Sequence, residues 1–220
     1  LRLSEIRFDK RKAVGILQIG IPSAFQYSLF AFANLFVQSS VNSFDHVLVE
    51  GNSAAANADP LVYDMMAAFY TACSSFIAQN FGARKKKRIL QTYLICLFYS
   101  FITSLVLGVG IYLARYPFLY LFTSDKAVVE AGITRLSIMA LSYSASAFMD
   151  ASIAASRGLG KTAVPTFVVV MGSCVFRIIW IYTIFAYFHT IQSLYILYVF
   201  SWGITAIAEN IYFFHVYRHT

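Results

Sequence analysis

Residues 84–114 read RKKKRILQTYLICLFYSFITSLVLGVGIYLA, five consecutive basic residues followed by 26 without a charge. Crossing about 30 Å of hydrocarbon takes roughly 20 helical residues, so 89–114 is long enough to span a bilayer. A barrel strand would alternate apolar and polar side chains over about ten residues. This stretch does not alternate. Five more segments share its character, at 13–41, 61–81, 133–156, 163–188 and 193–217. The expected fold is an all-α membrane protein, a bundle of six transmembrane helices. A basic connector (1–12) precedes the bundle (13–217), and a short tail (218–220) comes after it.

Composition agrees. Of 220 residues, 59% are hydrophobic and 12% charged, with a mean hydropathy of +0.66. An ordinary soluble domain carries about 25% charged and about 45–50% apolar residues. The first apolar run is too long for a cleavable signal peptide. The chain begins at Leu1 and not at Met, and reads as a portion of a longer protein. Boundary residues support the cuts between spans. Asp59-Pro60 reads as an N-cap with Pro at the first helical position. Gly82 reads as the cap that ends the second span. Pro165 falls in a first turn, and Pro22 lies deep enough in the first span to kink it.

Basic residues orient the bundle. With a cytoplasmic N-terminus, the inside holds Arg2, Arg7, Lys10, Arg11, Lys12, the run 84–88, Arg157, Lys161 and Arg218, thirteen of the seventeen. Outside are Arg115, Lys126 and Arg135, and Arg177 is within a span. By the positive-inside rule both termini are cytoplasmic. The net charge of +7 is then an attraction to anionic lipid headgroups, and no nucleic-acid partner is expected.

Other chemistries find little support. Ala155-Ser156-Arg157-Gly158-Leu159-Gly160-Lys161-Thr162 comes close to a phosphate-binding P-loop. That motif needs a preceding strand, and here a membrane helix precedes it. It reads instead as a basic turn between spans four and five. Cys73, Cys96 and Cys174 read as small buried hydrophobes. His46, His189, His215 and His219 sit near membrane boundaries without metal-ligand spacing. Neither a metal site, a cofactor nor an enzyme's catalytic set is expected.

Polar residues inside the spans are costly and mark function. Asp64, Asp150, Arg177 and Glu209 qualify, although Asp64 and Glu209 are each close enough to a boundary to snorkel. Asp150 is too short for that, and lies on a helix rich in small residues that allow close packing. Facing the interior, it either takes a proton or sodium ion, contacts substrate, or pairs with Arg177. In the first span Asn34, Gln38 and Asn42 recur every four residues and share one face, with Gln26 on the same broad side. Such a stripe faces another helix or a water-filled cavity. Of the aromatics, Tyr27, Phe30 and Tyr70 are interior candidates for stacking on an organic cation.

Several segments resemble one family. Ile19-Gly20-Ile21-Pro22-Ser23, the subsequent Asn34-Leu35-Phe36-Val37-Gln38 and Gly51-Asn52-Ser53-Ala54-Ala55-Ala56-Asn57 resemble the seventh helix of multidrug and toxic compound extrusion (MATE) transporters and its external loop. Ala78-Gln79-Asn80-Phe81-Gly82-Ala83 is similar to the pattern after the eighth helix. Ser156-Arg157-Gly158-Leu159-Gly160 and Arg177-Ile178-Ile179-Trp180 resemble the region of helices ten and eleven. The resemblance implies the C-terminal lobe of a V-shaped, two-lobed transporter of the plasma membrane. It also implies exchange of sodium ions or protons for organic cations or other drugs. The partners implied are membrane lipids, the drug substrate and an N-terminal six-helix lobe of the same polypeptide. Asp150 resembles the acidic residue that many members use for the coupling cation. Where some members carry Glu on the seventh helix, this chain has Gln26-Tyr27-Ser28-Leu29-Phe30. A flippase for lipid-linked sugars and a non-transporting scaffold are the alternatives.

Overall fold

The computed structural model describes residues 9–220. Arg2, Arg7 and most of the expected basic connector lie outside them. The described chain is helical nearly throughout: α1 (Lys10–Val41), α2 (His46–Ala56), α3 (Ala58–Gly82), α4 (Lys86–Leu113), α5 (Arg115–Tyr120), α6 (Lys126–Gly158), α7 (Ala163–Phe188) and α8 (Ile191–Arg218). Six of these units, with α2 and α3 taken together, are long and apolar enough to cross a membrane.

Several helices begin before the apolar limits because capping groups decide their starts, whereas hydropathy marks only where lipid begins; α7 keeps the expected bounds, 163–188. Asp9 accepts from the backbone N–H groups of Arg11 (2.9 Å) and Lys12 (3.2 Å), so Lys10–Lys12 are the first turn of α1 and no connector. Asp125 caps α6 at Ala127 (2.8 Å), and the helix starts at Lys126, seven residues before the expected start of that span. Asp45 caps α2 at Leu48 (2.9 Å), so the expected external loop is largely helix.

Two boundary readings are corrected. Asp59 is inside the first turn of α3, whose N-cap is Asn57; its carboxylate is engaged elsewhere. Gly82 is the last residue of α3 but not its left-handed cap. That conformation falls to Arg84 (φ 56°), with Lys85 N–H donating to Asn80 O (2.9 Å) and Arg84 N–H to Phe81 O (3.0 Å). This pair of bonds is a Schellman ending. Gly160 (φ 75°) closes α6 the same way. The stretch that approaches a P-loop is thus a helix end and a turn. Pro22 sits inside α1, which continues through it.

α6 is the central mast. Its small residues Ser146, Ala147, Ala151, Ser152 and Ala155 are fully buried, and α2, α3, α4 and α8 pack around it. At its closest approach to α4, any side chain on Gly108 would collide with the Ala140 backbone. Two separate aromatic and aliphatic clusters pack toward opposite ends of the bundle. One contains Cys73, Ile77, Tyr93 and Phe213, the other Trp180, Leu194, Tyr195 and Leu197. By contrast α1 is the least buried of the six spans, leaning on α7 and α8. α7 is interrupted by π-helical turns at Val170–Val175 and Ile181–Phe185. Each residue added in this way rotates the remainder of the helix by about 100°. Just after the first of them comes Arg177.

Candidate functional site

The gap between α1 and the rest of the bundle is a cavity of about 480 Å³. It is lined by α1, α3, α6, α7 and α8, with Asn52 from α2. Polar groups sit in three tiers along it.

The tier nearest α2 is an ion-paired network. Arg135 donates through Nη2 to Asp59 Oδ2 and through Nη1 to Asn52 Oδ1, both at 2.6 Å. Tyr143 donates its hydroxyl proton to Asp59 Oδ1 at 2.5 Å. Among the described residues this is the one ion pair closer than 4 Å. Arg135 is therefore no external interface residue, but a buried group 6% exposed.

The middle tier belongs to Arg177, which is 1% exposed. Its Nη1 donates to Asn34 Oδ1 (2.7 Å) and its Nε to Ser201 Oγ (3.3 Å). The guanidinium lies near the rings of Tyr198 (4.6 Å), Phe30 (5.1 Å) and Trp202 (6.0 Å). Such faces attract a cation. Tyr63 meets Trp202 and Tyr143 edge-on, completing an aromatic wall.

Asp150 and Arg157 form the third tier, toward the basic end of the bundle, with Tyr70. Arg157 donates to Gln26 Oε1 (2.8 Å), and its charge acts on Asp150. Among the described residues the Asp150 carboxylate makes no hydrogen bond or ion pair. The alternative of an Asp150–Arg177 pair is therefore corrected. Ser173, one turn before Arg177, is level with Met149 (3.9 Å), so Arg177 sits about 6 Å further along the axis.

The structure brings together Asp150, Gln26, Asn34, Gln38 and Arg177 at the cavity. Asn42 does not line it but holds Gln38, whose Nε2 donates to Asn42 Oδ1 at 2.9 Å. Tyr27, Phe30 and Tyr70 also face it. Asp64 is exposed on the outside of α3 and takes no part. Glu209 does not snorkel; it is 0% exposed, away from the cavity, with no hydrogen-bond partner for either carboxylate oxygen among the described residues. Sequence reasoning passed over Asp59, Asn52, Arg135, Tyr143 and Arg157. A signal existed: Asp59, Tyr63, Met66 and Tyr70 recur at helical spacing, as do Arg135, Met139, Ser146, Asp150, Ile153 and Arg157.

Comparison with known proteins agrees with this architecture. The MatE family model matches residues 22–183. Among solved structures, a MOP-superfamily transporter from Pyrococcus furiosus superposes with a TM-score of 0.88 at 19% identity, covering 99% of this chain and 49% of that one. A MATE transporter in its straight conformation gives 0.89 at 18%, covering 100% and 49%. The Vibrio cholerae MATE transporter VcmN gives 0.83 at 18%, covering 100% and 50%. At these identities the likeness is one of fold. No curated protein gives a significant match. The chain spans about half the length of the solved structures it matches, the extent of one six-helix lobe. With a family match over most of its length, this multi-pass membrane chain belongs to the MatE family of transporters.

Proposed function

We propose that the chain is the C-terminal lobe of a secondary active exporter of the plasma membrane. It moves organic cations and other drugs outward in exchange for sodium ions or protons, and pairs with an N-terminal six-helix lobe. The observation that carries this reading is the Asp150 carboxylate, which opens into a cavity inside the membrane with no hydrogen bond from the protein. A carboxylate there is expensive unless something occupies it, and a sodium ion or proton is the occupant that a gradient supplies. Gln26, held by Arg157, and Tyr70 frame that position. The exposed stripe of Asn34 and Gln38 on the loosely held α1 faces where a second lobe would close the cavity. Basic residues gathered at the ends of α3 and α6 and the start of α4 support an orientation with both termini inside.

The test uses the intact transporter that carries this lobe, in proteoliposomes, with imposed sodium or proton gradients and rhodamine 123 as cargo. Asp150→Asn should lower gradient-driven transport more than tenfold, with Asp150→Glu retaining a measurable part. Unchanged transport in Asp150→Asn would return Asp150 to a structural role.

A further inference from the structure

The cavity wall carries three arginines against two aspartates. Arg135 is neutralised by Asp59 at 2.6 Å, and Arg157, only partly buried, is held by Gln26 at 2.8 Å. That leaves Arg177. It is 1% exposed, with no carboxylate within 4 Å among the described residues, and its Nη2 has no hydrogen-bond partner. A guanidinium does not shed its proton, so this is a permanent buried charge. Such a charge is strongly unfavourable unless paired and fully hydrogen-bonded. The rings of Phe30, Tyr198 and Trp202 offset part of that cost; an anion would offset the rest.

Resting on the reading of the chain as a transporter lobe, we propose that the cavity takes organic solutes bearing a carboxylate or sulfonate, and that this group docks on Arg177. The contact that holds Arg177 Nη1 is the neutral amide oxygen of Asn34, on the exposed side of α1. A carboxylate that displaces it takes Nη1 and the vacant Nη2 together, the two-point fork that guanidinium is shaped for. Charge-assisted bonds of this kind are shorter and stronger than the neutral amide contact they replace. The aromatic body of the solute then lies against Tyr63, Tyr198 and Trp202.

Two xanthene dyes of like shape and opposite charge test this on the intact, unaltered transporter in nonionic detergent: 6-carboxyfluorescein and rhodamine 123, tracked by fluorescence polarisation. Carboxyfluorescein should bind at least tenfold more tightly. Arg177→Gln should weaken that binding at least tenfold, and Arg177→Lys by less. Tighter binding of rhodamine 123, or carboxyfluorescein affinity unchanged in Arg177→Gln, overturns the proposal. So does displacement of the dye by phosphatidylglycerol at equal concentration, which would make a lipid headgroup the occupant. The dye preference is read on the wild-type protein, so the test survives a variant that fails to fold. Gradient-driven movement of rhodamine 123 without carboxyfluorescein binding sinks this proposal alone. Carboxyfluorescein binding with no gradient-driven movement of either dye supports the docking site and sinks the transport reading instead.

Discussion

Asp59→Asn isolates the buried network at the α2 end of the cavity. The carboxylate accepts from two donors, Arg135 Nη2 at 2.6 Å and the Tyr143 hydroxyl at 2.5 Å. An asparagine offers one oxygen in their place, and its amide nitrogen can accept from neither. One donor is left unpaired, and Arg135, 6% exposed, loses its counter-charge. Removing one member of a buried pair costs about 3–5 kcal/mol, and an unpaired buried donor about 1–3 kcal/mol. The Asp59 side chain keeps 27% of its surface open, so water screens part of the loss. The expected cost is about 2–3 kcal/mol. Replacing both partners, Asp59→Leu with Arg135→Met, should cost less than either single change, since no charge is then stranded. The assay is reversible unfolding in bicelles, run as a double-mutant cycle. A cost below about 1 kcal/mol for Asp59→Asn would refute the reasoning. It would place the pair among ordinary interhelical hydrogen bonds, worth about 0.6 kcal/mol.

Three further outcomes rest on local geometry. Arg84 occupies a left-handed position (φ 56°) that costs a side-chain-bearing residue about 1–2 kcal/mol, so Arg84→Gly should raise the unfolding midpoint, with no change in transport. Gly108→Ala places a methyl against the Ala140 backbone and should destabilise by about 1–3 kcal/mol, read as a lowered midpoint in the same bicelle assay. Glu209→Met removes two carboxylate oxygens that have no hydrogen-bond partner among the described residues. Stability should rise by about 1–3 kcal/mol, and a fall would reveal a partner for Glu209.

The spans were legible because lipid demands long apolar runs, and six such runs cannot be mistaken for strands or soluble helices. Some of their starts were not, since Asp9 and Asp125 cap helices that begin before the apolar limits and Asp45 caps a helix where a loop was expected. Asp150, Asn34 and Gln38 could be found as polar residues amid apolar ones. Asp59 and Arg135 hid near boundaries, where a cap and an interface residue are cheaper explanations than an ion pair between α3 and α6. The partner of Arg177 was misread: the sequence offered Asp150, and the side chain bonds Asn34. Its direction depends on the π-helical turn at Val170–Val175, which rotates α7 by about 100° relative to an ideal helix. No helical-wheel count anticipates that rotation.

The burial of α6 has a consequence for biosynthesis. A helix bearing Arg135, Asp150 and Arg157 on its inner face would present charge to hydrocarbon if it entered the bilayer alone, which makes it the poorest candidate for independent insertion. Its docking surfaces on α2, α3 and α4 are all earlier in the chain, so the ribosome has delivered them before α6 emerges. Asp59 and Asn52 are among them, ready to receive Arg135. The order of synthesis thus supplies α2, α3 and α4 before the mast, and α8 packs on it afterwards.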